Sequence, residues 1–594
     1  MRRGLQKALQ QVERSLDRGD LLLAFDRACE HLRRFPDEEA LKHAGLLALA
    51  RAGATDRAAR LYREWGLDRS ADGHVLALEG RIAKDRALKL SGAARRAALS
   101  DAAVIYRRLY ERKHDYYPAI NWASLAFLAG DHDEAARVAE NVLADPEVAV
   151  AANYWALATR AEANLVLGRH DRAFADVEAA ARLPDADPGA MSSTRRQLRL
   201  LLTEHGVDRN DAAAFLAPLA PPVTLHVFDP AGPRQGWHDP SDAYVRRARS
   251  AIRDAIAEAM PGAVFGSLAT PAELLFAEAA LAAGVELNVV LPVALHTFEE
   301  LFLAGADERW RRRVRACCRK AHRVVVALDD AYGDDFGLAE YAARIAMGLT
   351  LLRAQHLDGD AAQAVLWGAP DAGSATEAAW SLDASRSTIA LELPPVGPPA
   401  VPERESDPRP SCAVIFGDLP GFSRLPERAL PVFWDTVMRV IGDVLEDSGD
   451  AVAARNTWGD AVHLVVPDVR RAAAICLAVQ RALSAIDGSV LGRDEPPTMR
   501  IGAHYGPVFE GWDPIRVHRT YYGRALSQAA RIEPVTPPGT VYVTEAFAAI
   551  LLLESRGEFA CTYVGQVPLA KGFGTFRMYD LSALSAAFGE ESRS

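Results

Sequence analysis

Two aspartates stand in turns beside apolar, strand-like runs. Cys412-Ala-Val-Ile-Phe416 leads into Gly417-Asp418-Leu-Pro-Gly421-Phe422-Ser423. Further along, residues 452–458 and Ala461-Val-His-Leu-Val-Val466 are separated only by Gly459-Asp460. A two-residue Gly-Asp connection between such runs predicts a tight hairpin. If the first strand neighbours that hairpin in a sheet, Asp418 and Asp460 converge on one edge. Hard divalent cations such as Mg²⁺ take oxygen ligands of this kind together with substrate phosphates. Two such ions held close together activate a hydroxyl and neutralise a leaving phosphate. Phosphoryl transfer then asks mainly for positioning and charge stabilisation, hence for Lys and Arg around the pair.

The surrounding pattern supplies elements to hold them. Apolar periodicity predicts a long amphipathic helix over residues 427–446 and a helix over 469–486, with strands over 499–504 and near Thr520. His463 and His504 fall on strands and read as satisfied structural histidines, since oxygen-preferring metals do not recruit imidazole. Trp458, beside the Gly-Asp turn, reads as a packing residue.

Four segments in order resemble the class III adenylyl/guanylyl cyclases. Phe416-Gly-Asp418-Leu-Pro-Gly-Phe-Ser is similar to F-x-D-x-x-G-F-[ST], and Gly459-Asp460 sits on its hairpin. Arg500-Ile-Gly-Ala-His-Tyr-Gly506-Pro-Val resembles R-[IV]-G-[IL]-H-x-G-x-V. Tyr522-Gly523-Arg-Ala-Leu-Ser-Gln-Ala-Ala-Arg531-Ile-Glu533 resembles W-G-x-x-V-N-x-A-x-R-[IML]. Ala570-Lys571-Gly572 matches a late K-G. The resemblance spans residues 411–582 and implies a ferredoxin-like α+β domain that forms a head-to-tail homodimer, with each site built from both copies. It implies that Asp418 and Asp460 bind two Mg²⁺ or Mn²⁺ and that the backbone of Leu419, Gly421 and Phe422 holds the triphosphate. Arg531 would stabilise charge on the α-phosphate, and Lys571 would bind the terminal phosphates. The reaction implied is attack of the ribose 3′-hydroxyl on the α-phosphate of a nucleoside triphosphate, releasing pyrophosphate and a 3′,5′-cyclic nucleotide.

Two positions depart from the family. Where its members carry a base-reading Lys or Glu, this chain has Asn456 next to Arg455. An amide both donates and accepts, so it suits several bases. Thr520 at the partner position favours ATP, with GTP and pyrimidine nucleotides left open. Ser527 replaces an Asn that orients the ribose, and losing such a donor costs on the order of a hundredfold in rate. A catalytically weak pseudo-cyclase, acting as a nucleotide-gated dimerisation module or adaptor, is therefore the alternative.

Upstream, residues 1–210 read as successive helices. Gly53-Ala-Thr-Asp56-Arg-Ala58 recurs as Gly130-Asp-His-Asp133-Glu-Ala135 and Gly168-Arg-His-Asp171-Arg-Ala173. The phrase suits a helix–turn–helix crossing, with Gly ending one helix and Asp capping the next. It resembles tetratricopeptide repeats and implies either a concave surface for a protein or peptide partner or a solenoid that only packs on its own chain. Residues 220–390 alternate apolar strands (223–228, 263–265, 285–291, 323–328, 364–367) with helices, which predicts a mostly parallel α/β sheet. Its strand order and Gly266-Ser-Leu-Ala-Thr270 loop resemble Rossmann-like nucleotide sensors of bacterial signalling proteins, although that loop also suits an ordinary strand–helix turn. The Pro-rich stretch 391–410 reads as a linker and 583–594 as a tail.

The fold class expected is thus multidomain: an all-α TPR-like solenoid, a Rossmann-like α/β domain and the α+β cyclase domain. A net charge of −11 provides no basic face for nucleic acid. The six cysteines show no metal spacing, the N-terminus lacks a signal-peptide core, and no apolar run spans a bilayer, so a cytoplasmic protein without membrane contact is expected.

Overall fold

The computed structural model describes residues 2–150, 152–230, 237, 239–329, 337–367, 375–393 and 409–584. They form two compact units, one of residues 1–222 with 355–359, the other of 223–354 with the residues from 360 on.

The first unit is helical. Gly53, Gly130 and Gly168 each end a helix in the left-handed region, with φ of +82°, +92° and +70°. The residue after each glycine donates back across the turn: Ala54 to Leu49 O (3.0 Å), Asp131 to Ala126 O (2.9 Å) and Arg169 to Asn164 O (2.8 Å). Glycine tolerates this conformation because it has no Cβ. The repeated aspartates, however, are not caps. Asp56, Asp133 and Asp171 are the second residues of helices Thr55–Glu64, His132–Ala144 and His170–Ala181, where a carboxylate complements the helix dipole. Of the three cap positions, only Asp131 accepts a capping bond, from Glu134 N.

Helix Pro188–Glu204 lies along the first helices of successive pairs. Gly189 meets the end of helix Arg2–Asp17 so closely that a Cβ would stand 2.1 Å from Leu16 O. Arg196 donates to Arg51 O (2.6 Å), and Gln197 joins Lys84 (3.0 Å) to Glu162 (2.8 Å). The chain's own helix thus packs across the repeats at Leu16, Arg51, Lys84 and Glu162.

The second unit contains two large sheets. One comprises β1 (Thr224–Phe228), β2 (Ala263–Gly266), β3 (Glu286–Val293), β4 (Arg323–Leu328), β5 (Ala361–Trp367) and β6 (Ser387–Glu392), ordered β4-β3-β2-β1-β5-β6. Every neighbouring pair is parallel. Strand β6 runs into the stretch expected to be linker; residues 394–408 of that stretch and 585–594 of the expected tail lie outside the described residues. The loop after β2 satisfies itself: Ser267 Oγ and Ala269 N both donate to the buried Glu273 carboxylate (2.7 Å each), and Thr270 caps the following helix. Its donors are spent within the strand–helix turn.

The other sheet comprises β7 (Ser411–Asp418), β8 (Ala454–Trp458), β9 (Ala461–Val466), β10 (Arg500–Pro507), β13 (Val541–Thr544), β14 (Phe559–Pro568) and β15 (Thr575–Ala583), ordered β14-β15-β13-β10-β7-β9-β8. A separate ribbon pairs β11 (Phe509–Asp513) with β12 (His518–Tyr522). From β10 through β7 and β9 to β8 all pairs are antiparallel, and β13 joins β10 in parallel. Cys412 and Val414 of β7 pack with Val465, Ala525 and Ala529 on one face. Ile415 and Gly417 turn to the other, among Ile441, Ile475 and Val479. The long helix expected over 427–446 is broken into a 3₁₀ turn (Glu427–Ala429), a short helix (Leu430–Phe433), a π turn (Trp434–Met438) and helix Arg439–Asp447. Pro431, which has no N–H, sits at the start of the short helix.

Two helices, α1 (Gly337–Leu357) and α3 (Glu545–Glu554), tie the two sheets together, while α2 (Arg524–Ile532) packs on β7 and β10. Met347 of α1, Trp380 and Leu553 of α3 share one apolar cluster. A Cβ on Gly348 would stand 2.1 Å from Ala549 O, so this crossing requires glycine. Tyr341 Oη donates to Tyr505 O on β10 (2.6 Å), and Arg323 of β4 grips Glu545 with both guanidinium nitrogens.

Candidate active site

Strand register explains how the two aspartates meet. β7 runs antiparallel to β9, with Gly417 opposite Val462, so Asp418 at the end of β7 lies beside the Gly459-Asp460 turn. Gly459 takes φ +64° and packs toward the Phe422 ring. The two carboxylates stand close enough that each feels the other's charge, and the Leu419 backbone lies beside Asp460. Burial, then the neighbouring Asp418 charge, pushes the Asp460 carboxyl up to about 6.

Asp418 has a cationic neighbour. Arg500 stands directly opposite it in the β7–β10 ladder and donates Nη2 to its carboxylate. The same guanidinium lies 3.1 Å from Glu533 Oε1, at the end of α2. Burial pushes the Glu533 carboxyl up to about 7; Arg500 opposes that shift, and Asp418 and Asp460 add to it. Among the described residues, no group of three or more His, Cys, Asp or Glu side chains converges as a metal cage. Two adjacent, mutually repelling carboxylates nevertheless fit a hard cation that takes its remaining oxygens from phosphate and water.

The loop after β7 is braced by a residue that sequence reasoning missed. Arg493 donates to Pro420 O (3.3 Å) and Gly421 O (3.1 Å). Its position in an irregular turn gave no periodic signal. Gly421 takes φ +81°, and the Phe422 ring lies 4.8 Å from that of Phe433. One of the amides expected to hold phosphate has an internal acceptor here: Phe422 N bonds Leu419 O (3.3 Å).

Arg455 and Asn456 lie on the outer strand β8, Asn456 opposite His463 of β9. His463 stacks on Phe416 (4.5 Å between ring centres), but its buried Nε2 has no hydrogen-bond partner, contrary to the expectation of a satisfied histidine. Burial, with Arg516 adding, lowers it to about 4, so the ring is neutral. His504 does behave as expected, with Nδ1 2.9 Å from Thr544 Oγ1. Trp458 is not packed; it is 85% exposed, because the hairpin tip extends past the sheet.

The remaining site residues stand apart from the aspartates. Ser527 and Arg531, four residues apart on α2, share its outer face, while Ala525, Ala529 and Ile532 are buried. Thr520 is on the separate ribbon, opposite Gly511. Lys571, with φ +59°, is exposed on the β14–β15 turn. Among the described residues, no hydrogen bond or ion pair joins Ser527, Arg531, Thr520 or Lys571 to Asp418 or Asp460.

Residues 405–583 match the adenylate and guanylate cyclase catalytic domain. Residues 24–126 match the tetratricopeptide repeats-sensor family. Among solved structures, the chain is similar to the guanylate cyclase domain of RhGC from Catenaria anguillulae in complex with GTP, at 22% identity. That likeness covers 30% of this chain and 97% of that one, with a TM-score of 0.26. It is also similar to the adenylyl cyclase CyaB from P. aeruginosa, at 17% identity over 29% and 93% of the two chains and a TM-score of 0.26. An adenylate cyclase from Trypanosoma brucei gives 19% identity over 31% and 92%, with a TM-score of 0.27. No curated protein matches. No helix among the described residues is long and apolar enough to cross a membrane.

Proposed function

We propose that the chain is a nucleotidyl cyclase converting a nucleoside triphosphate, ATP by preference, to its 3′,5′-cyclic nucleotide and pyrophosphate. The observation that carries this is the side-by-side placement of Asp418 and Asp460 at one end of the cyclase-domain sheet. These carboxylates would hold two Mg²⁺ or Mn²⁺, which when bound supply charge neutralisation at the phosphates and activation of the 3′-hydroxyl. Gly421 shapes the turn that lets the β7 loop approach a triphosphate. Asn456, with Thr520, reads the base edge. Arg531 stabilises charge at the α-phosphate, Ser527 orients the ribose and Lys571 meets the terminal phosphates.

The second group of residues reaches the first through a head-to-tail homodimer. Two observations support it. Ser527 and Arg531 lie off the buried face of α2 and, among the described residues, make no hydrogen bond or ion pair with Asp418 or Asp460. The β11–β12 ribbon exposes Trp512 (62%), Ile515 (90%) and Val517 (67%), an apolar surface that a second copy would cover. The β10-β7-β9-β8 order supports the ferredoxin-like description of the domain. The parallel sheet, read as Rossmann-like, and the helical repeats serve as regulatory regions in a cytoplasmic protein. A pseudo-cyclase is the second reading, favoured by Ser527 and Asn456.

Purified protein incubated with Mn²⁺ and, separately, ATP, GTP, CTP and UTP tests the reading through product masses. A cyclic nucleotide from one or more supports it, with ATP expected to lead; absence of all four cyclic products favours the pseudo-cyclase. Mixing Asp460→Asn with Arg531→Ala protein then tests the shared site. Partial recovery of turnover is expected, and none at all contradicts the dimer.

A further inference from the structure

Arg500 occupies a position that the proposed reaction does not use, yet it touches both halves of the machinery. It stands opposite Asp418 across the β7–β10 ladder and binds that carboxylate through Nη2. Its Nε lies 3.1 Å from Glu533 Oε1, but the contact is an ion pair only: neither Nε nor Oε1 has a hydrogen-bond partner. Glu533 directly follows α2, the helix that presents Ser527 and Arg531. The end of α2 is pressed onto β10, where a Cβ on Gly502 would stand 2.5 Å from Glu533 N. One guanidinium therefore bridges a metal-site carboxylate and the end of the helix carrying the transition-state arginine.

We propose that Arg500 and Glu533 are positioning residues that pass Asp418 between a guanidinium and a metal. This rests on the cyclase reading. Without metal, Arg500 shares its charge between Asp418 and Glu533 and holds Asp418 oriented. When Asp418 turns to a divalent cation, the guanidinium closes on Glu533, whose Oε1 already stands beside it lacking a hydrogen bond. Glu533 thus offsets the loss of the Arg500–Asp418 pair and eases metal entry, and its movement is felt at the end of α2. In a head-to-tail dimer that helix serves the partner's aspartates, so filling one site adjusts the other.

The test is Mn²⁺ binding to the full chain, counted by electron paramagnetic resonance of the free ion, with melting temperature as a check on folding. Arg500→Gln removes a competing cation and should tighten Mn²⁺ binding by about tenfold, while Glu533→Gln leaves Arg500 with Asp418 alone and should weaken it by about tenfold. A merely structural role would weaken both. The deciding comparison is the double variant. If Glu533 acts only through Arg500, adding Glu533→Gln to Arg500→Gln changes nothing further; an equal tenfold loss in both backgrounds would overturn the relay. If Arg500→Gln does not fold, Arg500→Lys keeps the charge without bridging two carboxylates. It should bind Mn²⁺ as weakly as Glu533→Gln and be insensitive to that second change; sensitivity again overturns the relay. Asp418→Asn separates the two levels. If it leaves Mn²⁺ binding intact, the metal reading itself fails; if it abolishes binding while the cycle is additive, only the relay fails.

Discussion

Two clusters of guanidinium and carboxylate groups in the second unit are built from the same chemistry with opposite balance. At Glu545, one carboxylate faces Arg323 (2.9 Å) and Arg577 (3.5 Å). Burial would raise the Glu545 carboxyl, but the two cations outweigh it and hold it below its ordinary value. At the β7 end, one guanidinium, Arg500, faces Asp418 and Glu533, with Asp460 beside Asp418, and there Asp460 rises to about 6 and Glu533 to about 7. The first cluster answers its one carboxylate with two guanidinium groups and ties α3 to β4. The second carries surplus negative charge, which costs the metal-free fold stability and leaves a standing attraction for cations. Charge balance separates this structural clasp from the proposed metal site where residue type does not.

The largest effect expected from breaking this contrast is on turnover. Asp460→Asn should lower cyclisation on the order of a thousandfold, since metal neutralisation is worth several kcal/mol of barrier. It should leave the melting temperature unchanged or raised, because it relieves repulsion with Asp418. Glu545→Gln should do the reverse: Arg323 and Arg577 lose the buried carboxylate they share, costing about 3 kcal/mol in denaturant unfolding, with Mn²⁺ affinity of the folded protein unchanged.

Proton linkage sharpens the comparison. Asp460 and Glu533 have folded-state values above their ordinary 3.8 and 4.5. Their contribution to metal-free stability is complete below those ordinary values and is lost as pH rises through about 6 and 7. Metal must displace these protons at low pH, so the rise in melting temperature on adding Mn²⁺ should be larger at pH 8 than at pH 5.5. Glu545 is shifted downward, so its contribution is present above about 4.5 and lost only on further acidification. The Glu545→Gln penalty should therefore stay flat from pH 5.5 to 8. The smallest effect belongs to a solvated control. Arg470 and Glu558 form a two-point ion pair (3.1 and 2.7 Å) with side chains 42% and 37% exposed, and Glu558→Gln should cost under about 1 kcal/mol.

The meeting of Asp418 and Asp460 was legible because its determinants are local. A Gly-Asp pair between two apolar runs specifies a hairpin, and the apolar run before Asp418 specifies a strand end. The relay was not: Arg500 and Glu533 appear in the sequence as separate motif letters, and only the β7–β10 register with the close packing of α2 on Gly502 brings them to one carboxylate. Strand β6 was missed because Ser387-Thr-Ile-Ala-Leu-Glu392 alternates weakly and runs toward the Pro-rich stretch. The helix over 427–446 was overextended because its apolar spacing continues through the π turn, where the backbone does not. That helix Pro188–Glu204 packs across the repeats is a tertiary fact, carried by Gly189, Arg196 and Gln197, with no local signature.

Mn²⁺ binding to the full-length wild-type chain and to Asp460→Asn, measured side by side at pH 8, tests the central claim most directly. Surplus negative charge from Asp418 and Asp460 predicts saturable binding in the first and a loss of about a hundredfold or more in affinity in the second. Equal affinity in both would contradict it.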